Sequence, residues 1–239
     1  MNHTKIETCD LTWNPITGCE HKCWFCYAKR GYDRFGWSFK PTFHPERIKE
    51  LADLKPPSGR GRKSWIAERY PGQWLVFVCS VSDLFAPWTL DRWRDETLER
   101  IGWTPDHIIC QLLTKSPEGI SNESTFNKNV WLGVSVTCQD DVTRIGTLLD
   151  VPSEGKFFVY IEPLLGPVEI PNDLLKKLDW MVVGKLTGFS RKAAAINRYW
   201  VDGPTGLIAQ AWRYHIPIFL KNTIIDELGP EYAMRDFPK

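Results

Sequence analysis

The chain has 239 residues, of which 43% are hydrophobic and 25% are charged, and its formal net charge is +1. The length predicts a single domain over residues 1–239, and the composition is that of an ordinary soluble globular protein. The near-zero net charge gives no indication of a nucleic acid or an acidic partner. The sequence contains no run of about 18 apolar residues, so no membrane span is predicted. Because the polar opening residues contain no apolar signal segment, we expect a cytoplasmic protein with no membrane partner.

The first predicted strand, at residues 12–17, is followed directly by three closely spaced cysteines. Cys19, Cys23 and Cys26 have the spacing C-x3-C-x2-C. Three thiolates on one tight loop can each bind one iron of a 4Fe–4S cluster and leave the fourth iron without a protein ligand. That open iron can take the amino nitrogen and the carboxylate of S-adenosylmethionine. The spacing therefore predicts a redox cofactor site with room for a substrate.

A zinc site is the main alternative at these cysteines. Structural zinc sites favour repeated C-x2-C pairs with four ligands in total. The sequence has no second pair, although Cys9 or His21 could act as a fourth ligand. The spacing favours the cluster, and a zinc site stays open.

Residues 55–72 interrupt the pattern of predicted elements after the first helix. They are rich in Pro, Gly, Arg and Lys, and we interpret them as an excursion from the fold. Their basic and aromatic side chains could grip a phosphate backbone and stack on bases, with a solvated loop as the alternative. The candidate substrate-binding residues are Arg60, Arg62, Lys63 and Trp65, with Arg69 and Tyr70 beside them.

Short apolar runs alternate with helical stretches from residue 75 onward. The predicted strands are 75–80, 107–113, 130–137, 156–162, 180–184 and 216–221. The predicted helices are 90–101, 139–149, 172–178 and part of 191–215. This alternation is typical of βα units with a parallel sheet or barrel, here with about seven strands.

Most of these strands end in polar residues, and the C-terminal ends of parallel strands usually meet at one site. The cysteine spacing, with Phe25 before the last cysteine, resembles the signature of the radical S-adenosylmethionine superfamily. Further segments resemble its phage Gp37/Gp68-like (DUF5131) family: TWNPITGC, FVCSVSDLF, LLTKSP, LGVSVTCQDD, IEPLLGPVE and VVGKLTG.

The resemblance implies a partial (β/α)6 barrel that holds a 4Fe–4S cluster and S-adenosylmethionine. It implies reductive cleavage of S-adenosylmethionine to a 5′-deoxyadenosyl radical, which takes a hydrogen atom from a substrate. An electron donor such as flavodoxin or ferredoxin is implied as a partner. An iron–sulfur or zinc binding protein without this chemistry is the alternative function.

The resemblance also assigns roles to residues at the strand ends. Phe25 is expected near the adenine, and Lys115, in a stretch similar to spore photoproduct lyases, near the methionine carboxylate. Where the superfamily often has Gly-Gly-Glu to meet the methionine amino group, this chain has other polar residues as candidates: Ser80, Ser82 and Asp83. The remaining candidates for cofactor binding are Ser135, Glu162, Gly184 and Lys185.

The sequence defines the substrate less clearly than it defines the cofactor. Cys79 and Cys138 lie near predicted strand ends and are weak candidates for donating a hydrogen atom to a substrate radical. A primary radical must be shielded from water, and the chain has little length left for a cap. We therefore expect a macromolecular substrate that covers the site, with nucleic acid first, and a peptide or a small metabolite as alternatives.

Overall fold

The computed structural model describes residues 1–58, 61–121, 124–187 and 196–239. These residues form a mixed α/β fold that divides into two compact units. The first unit contains Met1–Ile120 and Phe126–Trp131, and the second contains Ser121–Thr125 and Leu132–Lys239. The prediction of one domain over the whole chain stays a prediction.

The first unit is built around a sheet whose strands run in the order β1-β2-β5-β6. β1 is antiparallel to β2, whereas β2, β5 and β6 are parallel. A separate antiparallel pair, β3 with β4, flanks the cysteine loop. In chain order the elements are β1 (Asn2–His3), β2 (Leu11–Trp13), β3 (Ile16–Thr17), α1 (Tyr27–Arg34), β4 (Thr42–Phe43), α2 (Ile48–Ala52), α3 (Ser64–Arg69), β5 (Trp74–Val78), α4 (Asp91–Gly102) and β6 (Ile108–Thr114).

The second unit has parallel strands in the order β7-β8-β9-β10, of which β7 begins in the first unit. In chain order the elements are β7 (Val130–Ser135), α5 (Thr143–Leu149), β8 (Phe157–Ile161), α6 (Asn172–Leu175), β9 (Trp180–Val183), α7 (Arg198–Asp202), α8 (Leu207–Arg213), β10 (Ile218–Leu220) and α9 (Asn222–Leu228). Among the described residues, no helix is both long and apolar enough to cross a membrane.

The central strands are buried along their whole length, which explains their continuous apolar sequences. Every residue of β5, β7 and β9 is buried. Strands covered on both faces lack the alternation of apolar and polar residues that marks a half-exposed sheet. Each predicted strand overlaps an observed one, so the expectation of parallel βα units is confirmed for the described residues.

Prolines account for two differences from the predicted strands. The predicted strand at 12–17 is divided into β2 and β3, and Asn14 and Pro15 lie between them. The last strand begins at Ile218 rather than at 216, directly after Pro217. Proline has no N–H to donate to a ladder, so it favours the ends of strands.

Candidate functional site

The three cysteines occupy a loop between β3 and α1 that the backbone holds closely. Gly18 begins the loop with φ +84°, and a Cβ there would lie 2.2 Å from the carbonyl oxygen of Lys40. The N–H of Gly18 donates to the carbonyl of Val81 (3.1 Å), and the N–H of Cys19 donates to that of Phe39 (3.2 Å). Only glycine tolerates this conformation and this close approach without strain.

The other end of the loop is fixed by the start of α1. Cys26 caps the helix, because its Sγ accepts a hydrogen bond from the backbone N–H of Lys29 at 3.3 Å. Its own N–H donates to the carbonyl of Cys23 at 3.1 Å. The positions of Cys19, Cys23 and Cys26 are therefore set by local backbone contacts as well as by sequence spacing.

All three cysteines are half-buried, and none forms a disulfide. Burial and the nearby Asp83, Cys23 and Cys26 together raise the pKa of the Cys19 thiol to about 11, although a hydrogen bond from the His21 backbone lowers it. A bound metal cation favours the thiolate, so a metal at this loop would lower that pKa. Cys9, in contrast, is fully buried.

Within the described parts of the chain, no three His, Cys, Asp or Glu side chains converge as ligands of a single metal ion. Ligands of a mononuclear zinc site must all reach one atom. The cysteines of a 4Fe–4S cluster bind different irons, so their sulfurs need not meet. His21 belongs to another interaction: its Nε2 lies 2.7 Å from Asp83, and its ring packs edge-on against Trp88.

Asp83 links the cysteine loop to the ends of β5 and β6. One carboxylate oxygen accepts from the Lys115 N–H (2.8 Å) and contacts His21, while the other accepts from the Thr114 hydroxyl (2.7 Å) and the Phe85 N–H (3.1 Å). Burial raises the pKa of this carboxyl, but the hydrogen bonds outweigh it and hold the pKa below its usual value.

These contacts engage both oxygens of the Asp83 carboxylate within the protein, and the expected contact with the methionine amino group stays a prediction. A carboxylate has about four acceptor positions, and four partners inside the protein already use them. The sequence could not reveal this, because His21 lies 62 residues away in the chain.

The two serines beside Asp83 differ in their surroundings. The Ser80 hydroxyl donates to Asn14 Oδ1 at 3.1 Å, and the Ser80 carbonyl accepts from the Tyr27 hydroxyl. The Ser82 hydroxyl is buried and has no hydrogen-bond partner among the described residues. A buried hydroxyl without a partner is energetically costly, so Ser82 Oγ is the polar group here that a ligand would satisfy.

Phe25 and Lys115 lie close together, and their expected roles in binding S-adenosylmethionine stay predictions. The Lys115 ammonium lies 5.9 Å from the centroid of the Phe25 ring. Its backbone N–H is fixed by Asp83. An ammonium over an aromatic face is attracted by the ring. Because Phe25 belongs to the cysteine loop, the Lys115 ammonium lies beside that loop.

In the second unit, Glu162 forms an ion pair with Lys221, which also lies 4.8 Å from the centroid of the Tyr160 ring. A Cβ on Gly184 would lie 2.4 Å from Glu162 Oε1, so this position requires glycine. Lys221 was not a predicted site residue. It is a polar residue directly after β10, and this position at a strand end was the signal that could have identified it.

Lys185 and Ser135 are held by other contacts of the second unit. The Lys185 ammonium pairs with Glu227, and its N–H donates to the Thr223 hydroxyl at 3.1 Å. Both polar groups of Lys185 thus have protein partners, and its role in cofactor binding stays a prediction. Ser135 is buried, and its carbonyl accepts from Arg144 at 3.0 Å.

The remaining cysteines differ in accessibility. Cys79 and Cys110 are buried, and burial raises the pKa of each thiol to about 12. Cys138 is half-buried and precedes a short 3-10 helix. Of the two predicted hydrogen-atom donors, Cys138 is therefore the more accessible.

The predicted substrate-binding segment is turned toward the protein. Arg62 forms an ion pair with Asp10 at 3.1 Å, and the side chains are 2% and 0% exposed. The Lys63 ammonium donates to the carbonyls of Thr4 (2.9 Å) and Cys9 (2.6 Å). The Trp65 indole donates to the carbonyl of Glu7 at 3.0 Å.

These contacts correct the expectation that Arg62, Lys63 and Trp65 grip nucleic acid, because their polar groups stabilise the N-terminal segment instead. Arg60 lies outside the described residues.

The comparisons with known proteins agree in part with the resemblance seen in the sequence. The profile of a family described as a protein of unknown function (DUF5131) matches residues 3–223. No curated protein sequence matches the chain.

Solved structures of spore photoproduct lyase superpose on the chain with low sequence identity. The lyase complexed with dinucleoside spore photoproduct is 12% identical, with a TM-score of 0.48 over 80% of this chain and 60% of that one. A single mutant is 13% identical, with a TM-score of 0.48 over 77% and 57%. A double mutant with bound AdoMet and dinucleoside spore photoproduct is 14% identical, with a TM-score of 0.49 over 80% and 60%. The chain thus spans about 60% of the length of these lyases.

Proposed function

The chain belongs to the DUF5131 family of proteins of unknown function, and for it we propose the activity of a radical S-adenosylmethionine enzyme. The observation that carries the proposal is the arrangement of the first unit. Three half-buried thiols, none of them in a disulfide, lie on one fixed loop, and Phe25 of that loop meets Lys115 from the end of β6. The partial (β/α)6 barrel, the Gp37/Gp68-like relationship and the reducing cytoplasm belong to the same proposal.

The donor set fits a 4Fe–4S cluster with one open iron. Cys19, Cys23 and Cys26 would hold it, and soft thiolates are the ligands that such clusters use. When bound, the cluster supplies the electron that cleaves S-adenosylmethionine to methionine and a 5′-deoxyadenosyl radical. A flavodoxin or a ferredoxin is the proposed source of that electron.

The residues of the first unit bind and orient S-adenosylmethionine in this proposal. The Lys115 ammonium meets the methionine carboxylate, and the Ser82 hydroxyl accepts from the methionine amino group in place of Asp83. Phe25 packs against the adenine. Ser80 contributes through its backbone, because its hydroxyl is already bonded to Asn14.

The second unit contributes residues that stay proposals. Ser135 is proposed to contact the methionine carboxylate or the ribose, and Glu162 to accept hydrogen bonds from the ribose hydroxyls. The backbone of Gly184 is proposed to approach the adenine. Cys138, with Cys79 as a second candidate, is proposed to return a hydrogen atom to the substrate radical. The product of that transfer depends on the substrate.

The test is anaerobic reconstitution with iron and sulfide, followed by reduction with dithionite in the presence of S-adenosylmethionine. The proposal expects a brown protein that produces 5′-deoxyadenosine. Alanine at Cys19, Cys23 or Cys26 should abolish iron binding and the product, whereas Cys138→Ala and Cys9→Ala should retain the iron. A brown protein without 5′-deoxyadenosine would indicate an iron–sulfur protein without this chemistry, and a colourless protein with bound zinc would indicate a zinc site.

A further inference from the structure

The exposed aromatic side chains of the first unit are concentrated beside the cysteine loop. Of the eight large apolar side chains that are exposed among the described residues, four lie between positions 24 and 37. They are Trp24, Tyr27, Phe35 and Trp37, with 57–62% of each residue exposed. All four are aromatic, and most of their surface lies in water. We call residues 22–40 the aromatic surface.

The rings at the end of α1 are held in place rather than loosely projecting. Phe35 and Trp37 stack with their centroids 5.1 Å apart and an interplanar angle of 29°. Tyr32 contacts Trp37 edge-on, and its carbonyl accepts from the Trp37 N–H at 2.9 Å. Gly36, with φ +67°, allows the tight turn between the two rings. The protein thus fixes a pair of stacked rings whose outer surface stays in solvent.

The aromatic surface is also strongly basic. It contains one acidic residue, Asp33, and the following basic residues: Lys22, Lys29, Arg30, Arg34 and Lys40. The whole chain has a net charge of only +1, so the rest of the chain is acidic on balance. Arg34 lies 5.9 Å from the centroid of the Phe35 ring, which puts a cation next to the stacked pair. Positive charge and accessible rings therefore occur together.

We infer that the aromatic surface binds single-stranded nucleic acid. Unpaired bases expose the faces that stack on aromatic rings, while Lys and Arg side chains meet the phosphates. A duplex hides its base faces, so it would use the charges alone. This inference names the substrate class of the proposed enzyme and rests on the proposed function for that role. It replaces residues 62–65 as the interface, because the polar groups there are bonded within the protein.

The test measures binding of fluorescently labelled oligothymidylate and oligouridylate of about 20 nucleotides, and of a duplex of equal length, over a series of salt concentrations. Two variants address the aromatic surface: Trp37→Ala and the double variant Arg34→Glu, Lys40→Glu. Their matched controls are Trp103→Ala, an exposed tryptophan elsewhere, and Lys176→Glu, Lys177→Glu, an exposed basic pair in the second unit.

The inference expects wild type to prefer the single strands. Trp37→Ala should weaken binding by about 5- to 150-fold, because a base loses its stacking partner. The double charge reversal should weaken it further and reduce the salt slope by about 1.4, since each phosphate contact contributes about 0.7 for a single strand. Both controls should bind like wild type.

Three results would overturn the inference: no binding at low salt, equal preference for the duplex, or equal loss in the controls and the surface variants. If the aromatic-surface variants bind oligonucleotides like wild type but are no longer reduced by an acidic flavodoxin, the surface would instead be assigned to the electron donor. Dithionite needs no docking partner. If wild type binds no oligonucleotide but still produces 5′-deoxyadenosine with dithionite, this inference alone is rejected. If it binds oligonucleotides but produces no 5′-deoxyadenosine, the proposed function alone is rejected.

Discussion

Lys115 has two separate tasks at the residue scale, one through its backbone and one through its side chain. Its N–H donates to Asp83 at 2.8 Å, which fixes the end of β6 relative to the cysteine loop. Its ammonium, near the Phe25 ring, is the cation proposed to meet the methionine carboxylate. A side-chain substitution changes the second task and spares the first, so the proposed role can be tested alone.

Lys115→Ala should retain the iron and weaken binding of S-adenosylmethionine by about ten- to a hundredfold. A hydrogen bond between charged groups contributes about 1.5–3 kcal/mol, and each 1.4 kcal/mol is a factor of ten. Equilibrium dialysis or calorimetry on the reconstituted protein measures the affinity. Lys177→Ala, at an exposed position, is the control and should leave the affinity unchanged. Unchanged affinity in Lys115→Ala would remove Lys115 from the site.

Single residues were predictable where their chemistry depends on local sequence. The cysteine loop follows from spacing, and its glycine at position 18 adopts the positive φ that such a turn requires. The contacts of Asp83 and Arg62 were not predictable in this way, because their partners, His21 and Asp10, lie 62 and 52 residues away in the chain. A sequence shows which groups are charged, but it does not show which charges meet.

The segment that contains α3 illustrates the same limit at the scale of an element. Its basic composition suggested a surface for phosphates, yet Arg62 pairs with Asp10 in the interior and lies 5.5 Å from the centroid of the Trp74 ring. The Leu75 N–H also donates to Asp10, at 3.2 Å. The segment is therefore anchored next to β2 and β5, and its charge serves the fold.

Arg62→Met should lower the free energy of unfolding by about 3–5 kcal/mol, because it leaves the Asp10 carboxylate buried without its cation. Urea denaturation of the metal-free protein measures the change. Arg69→Met, at an exposed position of the same segment, removes a side-chain hydrogen bond to Tyr70 and should cost only about 1 kcal/mol.

Adding Asp10→Asn to Arg62→Met should recover part of the loss, since the uncompensated charge is then removed. A loss in Arg62→Met no larger than that in Arg69→Met would contradict the structural role of this ion pair.

Whole elements were predicted more reliably than their ends. Strand interiors follow from continuous apolar runs, and α4 lies within one residue of the predicted helix at both ends. The helix predicted at 139–149 begins instead as a 3-10 helix at Gln139–Val142. The Asp141 carboxylate there accepts from the N–H and the hydroxyl of Thr137. Such capping contacts depend on side-chain placement, which periodicity does not specify.

At the scale of the whole molecule, cofactor binding and folding stability should be linked. Any ligand that binds the folded chain and not the unfolded chain raises stability, by about 2.7 kcal/mol at a hundred times its Kd. For a chain of this size, the melting temperature of the reconstituted protein should rise by about 5–10 °C. Anaerobic calorimetry of the protein with and without iron and sulfide measures the shift.

The triple variant Cys19→Ala, Cys23→Ala, Cys26→Ala should show no such shift, and Cys138→Ala should show all of it. A shift that persists in the triple variant would mean that iron binds elsewhere.

The net charge of the whole chain was a poor guide to its surface. A value of +1 gave no reason to expect a polyanion site, because opposite charges in other regions cancel the basic residues at 22–40. The exposure of Phe35 and Trp37 was likewise not readable from the sequence, since more of the described aromatic residues are buried than exposed. The class of fold was accessible from the sequence and the metal chemistry stays a prediction, whereas the inferred interface required the folded surface.

The hydrogen bond from the Cys19 N–H to the Phe39 carbonyl joins the cysteine loop directly to the aromatic surface. Gly18 leaves no room for a Cβ beside the Lys40 carbonyl in the same place. A nucleic acid that displaces residues 39 and 40 must therefore displace the backbone next to Cys19, a proposed cluster ligand. Thermodynamic reciprocity then requires that each ligand change the affinity of the other by the same factor. A nucleic acid bound at Phe39 and Lys40 would then act as an effector of S-adenosylmethionine binding beside Cys19.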